Sequence, residues 1–381
     1  MGALDALALN FRYAFRPHKP LLTLRLAKAV VVAKVFRRPR LRYVDFAVDF
    51  ACNLRCEHCF AAALKQPGRR TMAPDDYARV AAQAMRLGAV NFSFQGGEPL
   101  LFPRLREVIA ACSPQRNVIS VTTNGTLLSA ERVAELKSWG VDILTVSLDS
   151  ALPDEHDRFR GQPGTLAAAL AGIERGLAAG LHVTIGTVVT HQTLRSEGIR
   201  GLMDFAIRKR AILYFIFPVR AGRWAANTEM LLTEDDLRYI EEQTRRSPYL
   251  RTDFQANLCG HGCGAAKEIL YLTPYGDVLV CPFLHIAFGN VFDDDLATIR
   301  ARALRIPQLA VYHQKCLAST DEEFVERYLG KTFDADKLPL PWDQVFTRPC
   351  SSSSSSSSSS SFSSSSSSSS SNLNDHQEPP Q

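Results

Sequence analysis

Cys52-Asn53-Leu54-Arg55-Cys56-Glu57-His58-Cys59 places three thiols within eight residues. An apolar run over residues 44–51 leads directly into it, so the thiols stand in the loop that follows a strand. Three thiolates can hold three irons of a 4Fe–4S cube and leave the fourth iron open to a ligand. A closed zinc site would need a fourth donor, for which His58 is at hand. Three thiols packed as small hydrophobes is a poor account of a run that is polar between its cysteines.

Downstream, apolar runs alternate with amphipathic segments. Strands are predicted over residues 44–51, 90–94, 118–123, 143–149, 183–189 and 212–217, and helices over 75–87, 104–111, 130–139, 165–179 and 198–208. Ser129 stands at an N-cap, and Gly88, Gly140 and Gly180 stand where helices must turn. Six β-α repeats of this length imply an α/β fold with a parallel sheet and its helices outside. The sheet is either curled like part of a TIM barrel or open and doubly wound.

After the second, third and fourth strands come Gly96-Gly97-Glu98-Pro99, Thr122-Thr123-Asn124-Gly125 and Ser147-Leu148-Asp149-Ser150. Singly, each is an ordinary turn or strand end, and Asp149 also suits a helix start. In this order behind a CxxxCxxC loop, they resemble the radical S-adenosylmethionine (SAM) enzymes, with GGE, TNG and S-x-D segments at successive strand ends. The resemblance covers about residues 44 to 220 and implies the curled form, a partial (β/α)6 TIM-like barrel.

It further implies that Cys52, Cys56 and Cys59 hold a 4Fe–4S cluster whose open iron chelates SAM. Gly96, Gly97 and Glu98 would form the edge that receives the methionine amino group. Thr123, Asn124, Ser147 and Asp149 would stand near the rest of the cofactor. Either Arg160, in His156-Asp157-Arg158-Phe159-Arg160-Gly161, or Arg175 would pair with the methionine carboxylate. An electron from the reduced cluster would cleave SAM, and the 5'-deoxyadenosyl radical would abstract hydrogen from a substrate. A reducing partner such as flavodoxin or ferredoxin is implied as well. No catalytic acid or base stands out; Tyr214, Arg220 and Arg223, around the sixth strand, are candidates to face the substrate.

A second cysteine group, Cys259 and Cys263, precedes Thr273-Pro274-Tyr275-Gly276-Asp277-Val278, Cys281-Pro282-Phe283 and Gly289-Asn290-Val291. This pattern resembles the opening of the SPASM and twitch extensions behind many radical SAM barrels. It implies a small cysteine-rich α+β domain with a second 4Fe–4S cluster on Cys259, Cys263, Cys281 and Cys316. Zinc on the same thiols is the alternative, with His261 and His285 close enough to substitute. The dense cysteine block that completes a SPASM domain is missing, so one auxiliary cluster is the maximum. Cys112 reads as core and Cys350 as a free thiol. SPASM-like relatives often act on peptides, so a peptide or a small metabolite is the expected substrate.

Charge is distributed unevenly over the 381 residues. Residues 1–45 carry ten Lys or Arg against Asp5 and Asp45, a local +8 within a total of +5. The basic residues interrupt an apolar segment over 21–42, which suits either a helix resting on an anionic membrane surface or one packed across an end of the barrel. A lipid substrate is the corresponding rival reading. No uncharged apolar run reaches about twenty residues, and no signal-peptide pattern is present, so a cytoplasmic location is expected. There a disulfide framework is excluded. A zinc-dependent nucleic-acid binder lacks an interleaved basic and aromatic surface, and a non-catalytic electron carrier would need none of the strand-end motifs, so no nucleic-acid partner is expected. The predicted organisation is a basic segment (1–43), the barrel (44–232), a bridging helix (233–257), the auxiliary domain (258–349) and a disordered tail (350–381). Residues 351–371 of that tail are serine apart from Phe362.

Overall fold

Seven strands lie side by side and all parallel: β1 (Tyr43–Asp49), β2 (Asn91–Gly96), β3 (Val118–Thr123), β4 (Ile143–Ser147), β5 (His182–Val188), β6 (Ile212–Ile216) and β7 (Leu250–Thr252). This computed structural model describes residues 9, 16, 18–36, 39–257 and 261–346. Cys259, Cys350 and the serine tract lie outside the described residues. Helices α1 (Pro20–Val35), α2 (Pro74–Leu87), α3 (Leu105–Ala111), α4 (Ala130–Ser138), α5 (Pro153–Arg160), α6 (Thr165–Ala178), α7 (Glu197–Lys209) and α8 (Glu234–Arg246) alternate with the strands or flank them. The sheet is the mixed α/β core of a partial (β/α) barrel, with a smaller α+β region after it.

The six predicted strands and five predicted helices all form, with ends shifted by one or two residues. Ser129 Oγ accepts the Arg132 N–H at 3.1 Å and starts α4. Helix α5 was not visible in the periodicity, because Pro153-Asp154-Glu155-His156-Asp157-Arg158-Phe159-Arg160 is almost wholly polar. Its start signals are local: Pro153 in the first turn and two acidic residues behind it.

The sheet continues on the other side of β1. Strand β8 (Ile269–Leu272) adds in parallel beside β1, pairing Asp45 with Tyr271, and β9 (Val278–Leu279) returns antiparallel on β8. A turn at Tyr275-Gly276-Asp277 joins them. A second small pair, β10 (Ile286–Ala287) and β11 (Leu340–Pro341), follows.

Strand alternation gives the sheet two different faces. Phe46, Phe92, Phe94, Ile119, Val121, Leu144, Val146, Ile185 and Phe215 join the core under the helices. Phe46 meets Tyr77 of α2 at 5.0 Å between ring centroids, and full burial of each such ring contributes roughly 1.5–3 kcal/mol. The opposite, inner face carries Asp45, Ser93 and Ser120, in register with one another, then Thr145 and Thr184, a second register pair, and Tyr214, which pairs with Gly186. Thr145 and Thr184 share a hydroxyl hydrogen bond of 2.8 Å.

Of the two readings of the N-terminal segment, packing across the barrel end is found. Leu22 and Ala33 of α1 are buried, and Lys19 Nζ donates to Asp142 Oδ2 at 2.6 Å and to the Gly140 carbonyl at 2.9 Å. Arg16 Nε reaches the other Asp142 oxygen at 3.2 Å, and Arg25 donates to the carbonyls of Arg116 and Ala89. Asp142 therefore neutralises two buried cations. Asp142→Ala is expected to lower unfolding stability by about 3–5 kcal/mol, read from chemical denaturation; a loss under 1 kcal/mol would mean that both cations find solvent instead.

Candidate active site

The cysteine loop leaves the C-terminal end of β1 and is held from several directions. Gly97 and Glu98, at the end of β2, donate backbone N–H bonds of 2.8 Å each to the carbonyls of Asp49 and Ala51, just ahead of Cys52. A Cβ on Gly96 or Gly97 would run into those same two carbonyls, and Gly96 sits at φ +133°. Close backbone approach at this point requires glycine.

Glu98 is buried, and its carboxylate accepts from the Leu100 N–H at 3.0 Å, the Thr123 hydroxyl at 2.8 Å and the Asn124 N–H at 2.8 Å. It ties the β2 loop to the β3 turn. Burial raises its pKa, and the hydrogen bonds to Asn124, Leu100 and Thr123 oppose that rise.

From the β3 turn, Asn124 Nδ2 donates to Asn53 Oδ1 at 2.9 Å, and Asn53 Nδ2 donates to the Thr126 hydroxyl at 2.9 Å. On the far side, the Glu57 N–H donates to the Phe159 carbonyl at 2.9 Å. Arg223 Nη1 donates to the carbonyl of Arg55 at 3.1 Å, and Gly222 passes so close to Cys59 that a Cβ there would meet its carbonyl. His58 stacks on Phe159 at 4.5 Å, with Trp224 5.8 Å away. Burial pushes the His58 imidazole down to about 4, so it is neutral.

At the end of β4, Asp149 and Arg160 form a buried ion pair of 2.6 Å. Asp149 Oδ1 also accepts the Val188 N–H, and Arg160 Nη1 lies 3.7 Å from Cys56 Sγ. Arg160 thus connects the S-x-D strand end to the cysteine loop. His156 Nδ1 accepts the Asp149 N–H at 3.2 Å and is held neutral by burial, at about 4. Ser147 is the last residue of β4, half-buried and in register with Gly186.

Arg175 is not brought to this place. It lies on α6 beside Ala130, Val133 and Lys137 of α4, where it donates to the Leu128 carbonyl at 2.9 Å. Arg220 donates to the Ala225 carbonyl and covers the Phe333 ring at 4.2 Å. Tyr214 faces the barrel interior, where burial raises its phenol pKa.

The three thiols of the loop are free, with Cys52 exposed and Cys56 and Cys59 half-buried. Burial pushes the Cys52 and Cys56 thiols up, and Arg160 opposes this at Cys56. Among the described residues, no three Cys, His, Asp or Glu side chains are arranged to hold a single metal ion. A four-iron cube spreads its thiolates more widely than one ion does. Three buried polar nitrogens around the loop lack partners: His58 Nδ1, Arg160 Nε and Trp224 Nε1. Buried polar groups without partners mark a place built for a further polar group. The residues present therefore fit a cluster with a polar ligand.

Cys263, Cys281 and Cys316 lie near one another: burial first, and then the charges of Cys263 and Cys316, raise the Cys281 thiol, and Cys263 adds to the rise at Cys316. Backbone N–H groups of Ala265 and Leu317 face the Cys263 sulfur, and those of Ala318 and Ser319 face Cys316. Burial pushes the Cys316 thiol up to about 12, and the facing Ala318 and Ser319 N–H groups oppose that rise. Cys112 is fully buried in the core, as read.

A family model, that of the Radical SAM superfamily, matches residues 50–206. The chain is 32% identical over 278 residues to the AdoMet-dependent heme synthase of Methanosarcina barkeri, covering 66% of this chain and 79% of the relative. The chain belongs to the radical SAM superfamily. This radical SAM enzyme is also 32% identical over 305 residues to GTP 3',8-cyclase 2 of Mycobacterium bovis, covering 76% and 78%. Its fold is shared with Streptococcus suis SuiB bound to S-adenosylmethionine, at TM-score 0.54 and 21% identity over 77% of this chain and 72% of SuiB. SAM and a 4Fe–4S cluster are the cofactors typical of the superfamily.

The interior face holds groups that no motif announced. Burial raises Asp45 to about 7. Tyr43, Ser93 and Gln95 adjoin Asp45, Tyr271 stands beside it on β8, and Asp253 adds a like charge. A carboxyl whose pKa rises on folding binds more protons in the native state, so its contribution is complete below the unfolded value near 4 and is lost as pH rises. The melting temperature of the metal-free chain is therefore expected to fall between about pH 4 and 7, and Asp45→Asn to flatten that fall. An unchanged slope in the variant would assign the effect elsewhere.

Proposed function

We propose that this radical SAM enzyme holds its catalytic cluster on Cys52, Cys56 and Cys59 and receives SAM at the edge formed by Gly96 and Gly97. The bound cofactor pair supplies reductive cleavage of SAM and a 5'-deoxyadenosyl radical that abstracts a substrate hydrogen. The protein's own part is to orient and to exclude water. Glu98, Thr123 and Asn124 fix the loop walls, and Arg160 holds positive charge beside Cys56 with its Nε available to an anionic group of the cofactor. Ser147 and Asp149 close the same rim.

The substrate is a peptide or a small polar metabolite. The polar inner face carries this reading: Asp45, Ser93, Ser120, Thr145, Thr184 and Tyr214 suit hydrogen-bonding groups and oppose an acyl chain. Relatives named for heme and GTP chemistry favour a metabolite, and SuiB bound to its precursor peptide SuiA keeps a peptide in view. Cys263, Cys281 and Cys316 support one auxiliary cluster, with Cys259 as its fourth ligand and a flavodoxin or ferredoxin as electron source. A lipid substrate has no support from the inner face. Contact with a membrane surface does, because α1 leaves apolar side chains exposed.

Anaerobic reconstitution with iron and sulfide, reduction by dithionite and assay of 5'-deoxyadenosine from SAM test the reading. Production that rises with the peptide or the small-molecule fraction of a cell extract identifies the substrate class. No production at full iron load would sink the proposal and leave a non-catalytic electron carrier.

A further inference from the structure

At the opposite end of the strands from the cysteine loop, a cavity of about 330 Å³ opens between α1 and the barrel. Its wall is built by residues just ahead of four strands: Arg40 and Arg42 before β1, Gly88 and Val90 before β2, Arg116 before β3 and Glu268 before β8. Arg25 and Lys28 of α1 and Arg86 of α2 complete it. Glu268, the single carboxylate of the lining, is already paired with Arg42 at 3.0 Å and accepts the Tyr312 hydroxyl at 2.6 Å. Lys28, Arg40, Arg86 and Arg116 form no ion pair among the described residues. Burial, with Arg116 close by, lowers the pKa of Arg25, a sign of crowded positive charge.

Next to this cavity, α1 shows an apolar stripe. Leu21, Leu24, Val31 and Val35 recur at helical spacing with Lys28 between them, and Leu24 and Val35 are 69% and 68% exposed. Arg25, Ala29 and Val32, which line the cavity, occupy the adjoining stripe, and Leu22 and Ala33 the buried one. Lys28 belongs to both the apolar stripe and the cavity wall. No described helix is long and apolar enough to cross a membrane. An apolar stripe flanked by unpaired cations is instead the arrangement that lies in a bilayer surface.

We propose that this end of the barrel docks on an anionic bilayer, the α1 stripe seated among the acyl chains and the cavity receiving the phosphate of an anionic lipid headgroup. The proposal deepens the membrane-contact reading and is independent of the substrate. The charge is concave rather than spread along a track and adjoins exposed aliphatic side chains. Both features suit a headgroup and not a nucleic-acid backbone. Docking from this end leaves the cysteine loop facing away from the lipid, accessible to a polar substrate.

The full chain is to be pelleted with vesicles of phosphatidylglycerol and phosphatidylcholine, and with phosphatidylcholine alone. Binding is expected only to the anionic vesicles and is expected to weaken with salt. Lys28→Glu with Arg86→Glu should weaken it by on the order of tenfold or more, and Leu24→Glu with Val31→Glu should do likewise. 5'-Deoxyadenosine formation should be retained in both variants, so loss of docking and loss of SAM chemistry are read separately. No binding to anionic vesicles, or binding indifferent to the cavity pair, would overturn the proposal. So would thermal stabilisation by inorganic phosphate without vesicle binding, retention of a labelled oligonucleotide in its place, or a solution dimer that the stripe variant dissociates while vesicles stay unbound.

Discussion

Alanine in place of Cys52, Cys56 and Cys59 together is expected to reduce 5'-deoxyadenosine to background and to halve the iron retained after reconstitution. The metal-free fold should be largely retained, because Cys52 is exposed, the other two are half-buried, and apart from the Leu54 N–H on Cys52 and the Arg160 contact with Cys56 the loop is held by bonds that use none of the thiols. Glu98, Asn53, Asn124, Glu57 and Arg223 supply those bonds. The matching variant, alanine at Cys263, Cys281 and Cys316, should also lose half of the iron while the SAM-cleaving half remains spectroscopically intact. Its metal-free form should be less stable, since these sulfurs accept backbone N–H groups in a buried setting. Iron that stays at the native level in the second variant would leave the chain with one cluster. Iron that stays in the first, with SAM cleavage persisting, would place the chemistry elsewhere.

These expectations show which parts of the site could be seen in the sequence. The cysteine loop and the three strand-end motifs were legible because each is a short local pattern, and the strands between them alternate cleanly. Contacts across long separations were not. Asn53 finds Asn124 only because β1 and β3 flank β2, and nothing in the Asn-Leu-Arg spacer announces that bond. Glu98 reads as part of a cofactor-facing motif, and its three hydrogen bonds to Leu100, Thr123 and Asn124 tie the β2 loop to the β3 turn, which no local pattern announces. Sequence left Arg160 and Arg175 as equals. The structure separates them because α5, polar and unmarked by periodicity, turns back onto the loop and carries Arg160 to Cys56, whereas Arg175 points from α6 toward α4. The polar inner face was hidden for a similar reason: Asp45 meets Tyr271 through a strand pairing that joins residues more than two hundred positions apart.

The Asp149–Arg160 pair permits a large effect from one substitution. Both side chains are at most 8% exposed, so Arg160→Ala leaves an uncompensated buried carboxylate, and the metal-free chain is expected to lose about 3–5 kcal/mol. Arg160→Lys restores charge but not the reach of a planar guanidinium to Asp149 and Cys56 at once, so it should recover only part of that stability. A second consequence is electrostatic. A cation near Cys56 stabilises the more negative, reduced cluster, and its removal should lower the reduction potential of reconstituted protein; salt should screen this only weakly because the pair is buried. Asp149→Asn acts in the opposite sense, freeing Arg160 from its counter-charge and raising the potential. Potentials that move in opposite directions in the two variants would establish Arg160 as a positioning residue for the cluster. Equal stability losses with no change in potential would reduce the pair to a strut between β4 and α5.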